Sequence, residues 1–177
     1  LVLNVLRPTL FAGVVLNDIG PDVAAGGAAR IAAYVGRDWR FDDWPAAMAH
    51  LKALFAHGPC KTEDDWREMA FGTFAPGDDG RLRPQWDTAI ARMLLAQHGD
   101  ASTAARLWSA FRALGQRPTL LLRGANSDIL SDETFSAMRL AKPAAITAIV
   151  PDVGHTPSLS ESESLEALDA LLARVGA

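Results

Sequence analysis

The sequence predicts an α/β fold, a parallel sheet interrupted by a long helical excursion after its first visible strand. Three observations lead there. Phe11–Asn17 and Thr119–Arg123 are short, continuous apolar runs, the pattern of strands buried on both faces of a parallel sheet. From Ser131 onward, strand-like and helix-like periods alternate. Between the two, residues 22–100 read as helices punctuated by proline and glycine, too long for an ordinary crossover in a compact domain.

Taken in order, Leu1–Leu6 reads as the last turns of a buried helix stopping before Pro8, and Phe11–Asn17 as a strand closed by the turn Asp18-Ile19-Gly20-Pro21. Pro45–His57 places Met48, Leu51, Leu54 and Phe55 on one helical face before Gly58-Pro59. Thr62 is an N-cap for a helix turning Trp66, Met69 and Ala70 inward, followed by a loop over Ala75–Gly80. Thr88–His98 is a helical stretch, and Ser102 caps a helix with the stripe Leu107, Trp108, Phe111 and Leu114, closed by Gly115. No strand is expected between the first turn and Gly115. Thr119–Arg123 is the next strand, Asp132–Lys142 a helix capped by Ser131, and Ala145–Val150 a strand. The last helix opens at Ser160 with Glu163 as a capping box and buries Leu165, Leu168, Leu171, Leu172 and Val175. The expected divisions are 1–21 (the end of a helix and a core strand), 22–100 (a helical cap) and 101–177 (the remaining core).

Composition narrows the function classes. The 177 residues are 49% hydrophobic with net charge −4, suiting a globular core, and no basic stripe offers a phosphate backbone a footprint. Nucleic acid is therefore not an expected partner. The apolar runs are too short to span a bilayer, and Leu1–Leu6 lacks the basic flank and cleavage site of a signal peptide. The single cysteine, Cys60, cannot form an internal disulfide, so a cytoplasmic location is expected. His50, His57 and His98 have no metal-ligand spacing, and Ala24–Ala28 lacks dinucleotide-binding glycine spacing. Neither metal nor cofactor is expected.

The chemistry-bearing residues follow two strands. Leu120-Leu121-Leu122-Arg123-Gly124-Ala125-Asn126-Ser127-Asp128 ends on an acid, and Val150-Pro151-Asp152-Val153-Gly154-His155 ends on a histidine. Ligands of open parallel sheets sit beyond the strands' carboxyl ends. An acid followed by a histidine there is the back half of the chain order Ser…Asp…His. An imidazole with an unperturbed pKa near 6.5 can take and return a proton near neutrality. A solvated surface histidine and a helix-entry carboxylate are the plainer alternatives for His155 and Asp128. No G-x-S-x-G is found, and no serine follows an apolar strand and opens a helix with glycines on both sides.

With these elements placed, the chain resembles a capped α/β-hydrolase of the carboxylesterase and lipase-like kind. The likeness rests on Ala12–Pro21, Asp79–Asp87, Leu120–Asp128 and Gly154–Leu159. It implies Asp128 as triad acid, with Asp132 as the alternative because Asp128 lies one position later after Gly124 than in many relatives, and His155 as catalytic base. It further implies that the nucleophile and oxyanion loop lie upstream of Leu1, in a segment of the same protein, so that the visible chain alone is inactive. The expected reaction is hydrolysis of a small or medium apolar acyl ester through an acyl-enzyme. Epoxide or haloalkane hydrolysis with an Asp nucleophile, and ligand binding without catalysis, are the competing readings. Trp39, Trp44, Trp66 and Trp86 fall in the expected cap, either lining an acyl pocket or gluing short helices together.

Overall fold

A computed structural model describes residues 1–55, 58, 60–92 and 101–176. Its elements are α1 (Val2–Leu6), β1 (Val14–Asn17), α2 (Ala25–Val35), α3 (Trp44–Leu54), α4 (Glu63–Thr73), β2 (Phe74–Pro76) and β3 (Leu82–Pro84). After these come α5 (Ala101–Arg112), β4 (Thr119–Gly124), α6 (Asp132–Ala141), β5 (Ile146–Val150) and α7 (Ser162–Val175). The expected α/β fold is present.

β1, β4 and β5 form a parallel sheet in the order β1-β4-β5, with Val14 opposite Thr119 and Gly124 opposite Val150. Central β4 is buried at all six positions, which is why it reads as unbroken apolar sequence. Its alternation divides the core. Leu121 packs with Leu16, Phe111, Leu114, Phe135 and Met138 under α5 and α6. Leu120 and Leu122 face the other way, onto Val150, Val153, Ala167 and Leu171 under α7. A third apolar cluster draws only on residues between Tyr34 and Leu82, so the excursion has a small core of its own.

Several expectations are corrected. α1 is helical but not buried: Val2, Leu3, Val5 and Leu6 are exposed, while Asn4 is buried and donates to the Ala113 carbonyl. The excursion is not wholly helical. β2 and β3 form an antiparallel hairpin in which Phe74 opposes Pro84, and Gly80 takes φ +76° in the turn. Three-residue strands ending in proline carry no readable alternation, so the hairpin is invisible to pattern. Ser102 lies within α5 rather than before it. α7 starts at Ser162 with Glu161 as N-cap; Ser160 caps nothing, and Glu161 instead accepts from the Ser158 amide and the Ser164 hydroxyl. Leu165 and Leu172 are exposed, because the buried stripe of α7 runs through Ser164, Ala167 and Leu171. The expected helix over Thr88–His98 is seen from Ile90; its later part lies outside the described residues.

Other expectations hold as drawn. Thr62 caps α4; the structure adds its reciprocal capping box with Asp65, and Asp43 as the N-cap of α3 ahead of Pro45, neither of which was expected from the sequence. Ser131 accepts from the Thr134 amide at the start of α6.

Candidate active site

The loops beyond β4 and β5 are zipped together past the end of the sheet. Ala125 N donates to Val150 O and Asn126 N to Val153 O, each at 2.9 Å. Gly124 lets them close: a Cβ there would strike the carbonyl oxygens of Val153 and Gly154. Asn17, the last residue of β1, donates from Nδ2 to Pro157 O at 2.9 Å and ties the histidine loop to the third strand. His155 is thereby held over the sheet's carboxyl rim.

The carboxylate it meets is Asp18. Immediately after β1, Asp18 turns into the left-handed region with φ +54°, a conformation aspartate tolerates better than most residues. Its side chain is fully buried beneath the loop after β4. Oδ1 accepts from Gly124 N at 2.9 Å, and Oδ2 accepts from Ser127 Oγ at 2.7 Å. The same Oδ2 lies 2.8 Å from His155 Nδ1. A buried carboxylate needs donors on its oxygens, so the ring proton facing it must sit on Nδ1. Nε2 is then left with its lone pair free to accept, the tautomer a general base requires.

The expected pairing of Asp128 with His155 is replaced by this one. Asp128 is turned toward α2, where Arg30 donates from Nε to Oδ2 at 2.6 Å and from Nη2 to Oδ1 at 2.8 Å. A forked guanidinium satisfies both carboxylate oxygens at once, which no single imidazole nitrogen does. The Arg30 hydrogen bond accordingly holds the Asp128 carboxyl below the usual carboxylate range, with a smaller contribution from nearby His155. The alternative acid, Asp132, is exposed at the start of α6 and pairs with Arg123 Nη1 at 3.2 Å. Asp18 was hidden in the sequence because Asp-Ile-Gly-Pro reads as a turn. The signal that points to it is its place at the carboxyl end of a strand in the same sheet as His155, also ahead of the histidine in chain order.

His155 borders a cavity of about 840 Å³. Its walls are Leu16, Ile19, Val23, Ile31, Leu107 and Ile129, among others, and the few polar liners include Asp22 and Thr103. A concave, mainly apolar space beside an oriented imidazole has the size and character of a small-molecule site. None of Trp39, Trp44, Trp66 and Trp86 lines it. Trp39, Trp44 and Trp66 pack in the apolar cluster of the excursion, and Trp86 Nε1 donates to Val35 O at 2.8 Å. His50 lies tilted against Trp39 and Phe41, with ring centroids 4.1 and 5.1 Å away, and Cys60 Sγ lies 3.6 Å from Met69 Sδ. His57 and His98 lie outside the described residues. Among the described residues no group of three or more His, Cys, Asp and Glu is arranged to hold a metal ion, and no helix is long and apolar enough to cross a membrane.

No family model matches the chain. It is 34% identical over 151 residues to the 3-hydroxybutyrate-oligomer hydrolase of Cupriavidus necator, an alignment covering 82% of this chain and 51% of that protein. Among solved structures it is similar to an α/β hydrolase from Novosphingobium aromaticivorans, with TM-score 0.84 and 35% identity over 98% of this chain and 60% of that one. It is also similar to an E-2-(acetamidomethylene)succinate hydrolase, with TM-score 0.71 and 25% identity over 97% of this chain and 60% of that one. The chain thus spans about half the length of its curated relative. A parallel sheet flanked by helices, matched at this level by hydrolases, places the chain in the α/β-hydrolase fold family.

Proposed function

We propose that this chain supplies the acid and the base of an esterase that cleaves small or medium apolar acyl esters through an acyl-enzyme. In this reading a nucleophile from outside the 177 residues attacks the ester carbonyl while His155 Nε2 takes its proton. The imidazolium then returns that proton to the leaving alcohol oxygen. Water, deprotonated by the same nitrogen, releases the acid. Asp18 holds the ring by Nδ1 and stabilises the imidazolium, remaining a carboxylate throughout. The observation that carries the reading is the 2.8 Å contact between a fully buried carboxylate and an imidazole at the edge of an apolar cavity.

The longer relatives support a contribution from beyond this chain, and one of them is named a 3-hydroxybutyrate-oligomer hydrolase. The test is labelling of the full protein carrying this chain with a fluorophosphonate. Labelling that is lost in His155→Ala and Asp18→Asn, and kept in Asp128→Asn, supports the assignment. Folded protein that never labels would end it.

A further inference from the structure

We propose that Ser127 is a positioning residue for this reaction, acting through Asp18; the inference rests on the reading of Asp18 and His155 given above. A hydroxyl has one proton to donate and two lone pairs to accept with. Around Ser127 Oγ the acceptor capacity is taken: Ile129 N and Leu130 N each donate to it at 3.1 Å. The hydroxyl proton is therefore directed at Asp18 Oδ2, 2.7 Å away, the same oxygen that faces His155 Nδ1.

This arrangement does two things. It fixes the carboxylate's rotation, since Gly124 N holds Oδ1 while Ser127 and His155 share Oδ2. It also withdraws negative charge from the oxygen that stabilises the imidazolium. Ser127 itself is held from below. Buried Arg123 donates from Nε to Leu130 O at 2.8 Å and from Nη1 to Ala125 O at 3.3 Å, bracing both ends of the loop that presents the hydroxyl. Ser127 does not itself line the cavity, and its one proton goes to Asp18, so its influence passes through that carboxylate.

The experiment is the pH dependence of kcat/KM in the full protein carrying this chain, for Ser127→Ala, Ser127→Cys and Ser127→Thr. Removing or weakening the O–H donor in the first two should lower kcat by about ten- to a hundredfold with KM nearly unchanged, the scale of a hydrogen bond to a charged group. The acid limb should move to higher pH, because a carboxylate with one donor fewer holds the imidazolium more tightly. Ser127→Thr keeps the hydroxyl and should recover most of the rate. Should Ser127→Ala fail to fold, Ser127→Cys keeps the shape with a feeble donor and decides the question. Full activity with an unmoved acid limb in the cysteine variant would overturn the proposal. So would an equal loss in Asp128→Asn, which loosens the same loop and spares the hydroxyl. If Asp18→Asn and His155→Ala both retain activity, the esterase reading itself has failed, and the Ser127 assignment falls with it.

Discussion

Arg30 and Asp128 join α2 to the loop beyond β4 through two parallel hydrogen bonds of 2.6 and 2.8 Å. This pair occupies Asp128 while the imidazole of His155 meets Asp18, so two carboxylates near one ring have different partners. Asp18 is fully buried and saturated with donors, whereas the Asp128 side chain is 45% exposed and neutralised by a cation.

The two acids should therefore respond differently to the same isosteric change. Asp18→Asn presents an amide where His155 needs an acceptor, and it should lower kcat about a thousand- to ten-thousandfold by favouring the wrong tautomer. Asp128→Asn should change it by only a few-fold. Steady-state esterase kinetics on the full protein carrying this chain make the comparison. A greater loss in Asp128→Asn would reverse the assignment.

The central strand was legible because β4 is covered on both faces, and burial on both faces is what selects an unbroken apolar run. His155 drew notice by standing beyond the next strand, β5, at the same carboxyl rim. The pairing of His155 with Asp18 rather than Asp128 was out of reach, because a sequence does not show which of two strand-end carboxylates a cation will capture. Arg30 lies 98 positions from Asp128, inside a segment readable only as helices. The exposure of α1 was equally out of reach: Leu1–Leu6 has the composition of a buried helix, yet Asn4 is its one buried residue.

The α2 contact can be measured directly. Besides the ion pair, Ala24 N donates to Ile129 O at 2.9 Å, and a Cβ at Gly27 would collide with the Asp128 backbone carbonyl. Backbone cannot yield as a side chain tip does. Gly27→Ala should thus destabilise the protein by about 1–3 kcal/mol despite alanine's better helix propensity. The ion pair is partly exposed, so a double-mutant cycle of Arg30→Ala and Asp128→Ala should return a coupling of about 1 kcal/mol or less, shrinking with salt. Denaturant unfolding checks both values, and a stabilising Gly27→Ala would contradict the close approach.

The same pair sets an acid dependence. The folded Asp128 carboxyl is depressed, chiefly by its Arg30 hydrogen bond. Its stabilising contribution is then present above the unfolded value, about 3.9, and lost as pH falls through the lower folded value. Arg30→Ala should remove this dependence, so the stability curves of the two proteins should begin to converge as pH falls below about 4 and meet below the folded value. Parallel curves down to the acid transition would show that the pair is not formed in solution.

Tyr34 tests the packing of the excursion. Its ring lies 5.3 Å from Trp86, 5.6 Å from Phe55 and 6.3 Å from Trp39, centroid to centroid, and burial pushes the phenol up to about 12. Burial penalises the phenolate, so the stabilisation is complete below the ordinary value of 10.0 and lost as pH climbs through about 12. The ultraviolet difference titration between the protein and its Tyr34→Phe variant isolates this one ring. Its midpoint should fall at about 12, or coincide with alkaline unfolding if the fold yields first. A midpoint at about 10 while helical circular dichroism is still intact would mean that these aromatic contacts are not made.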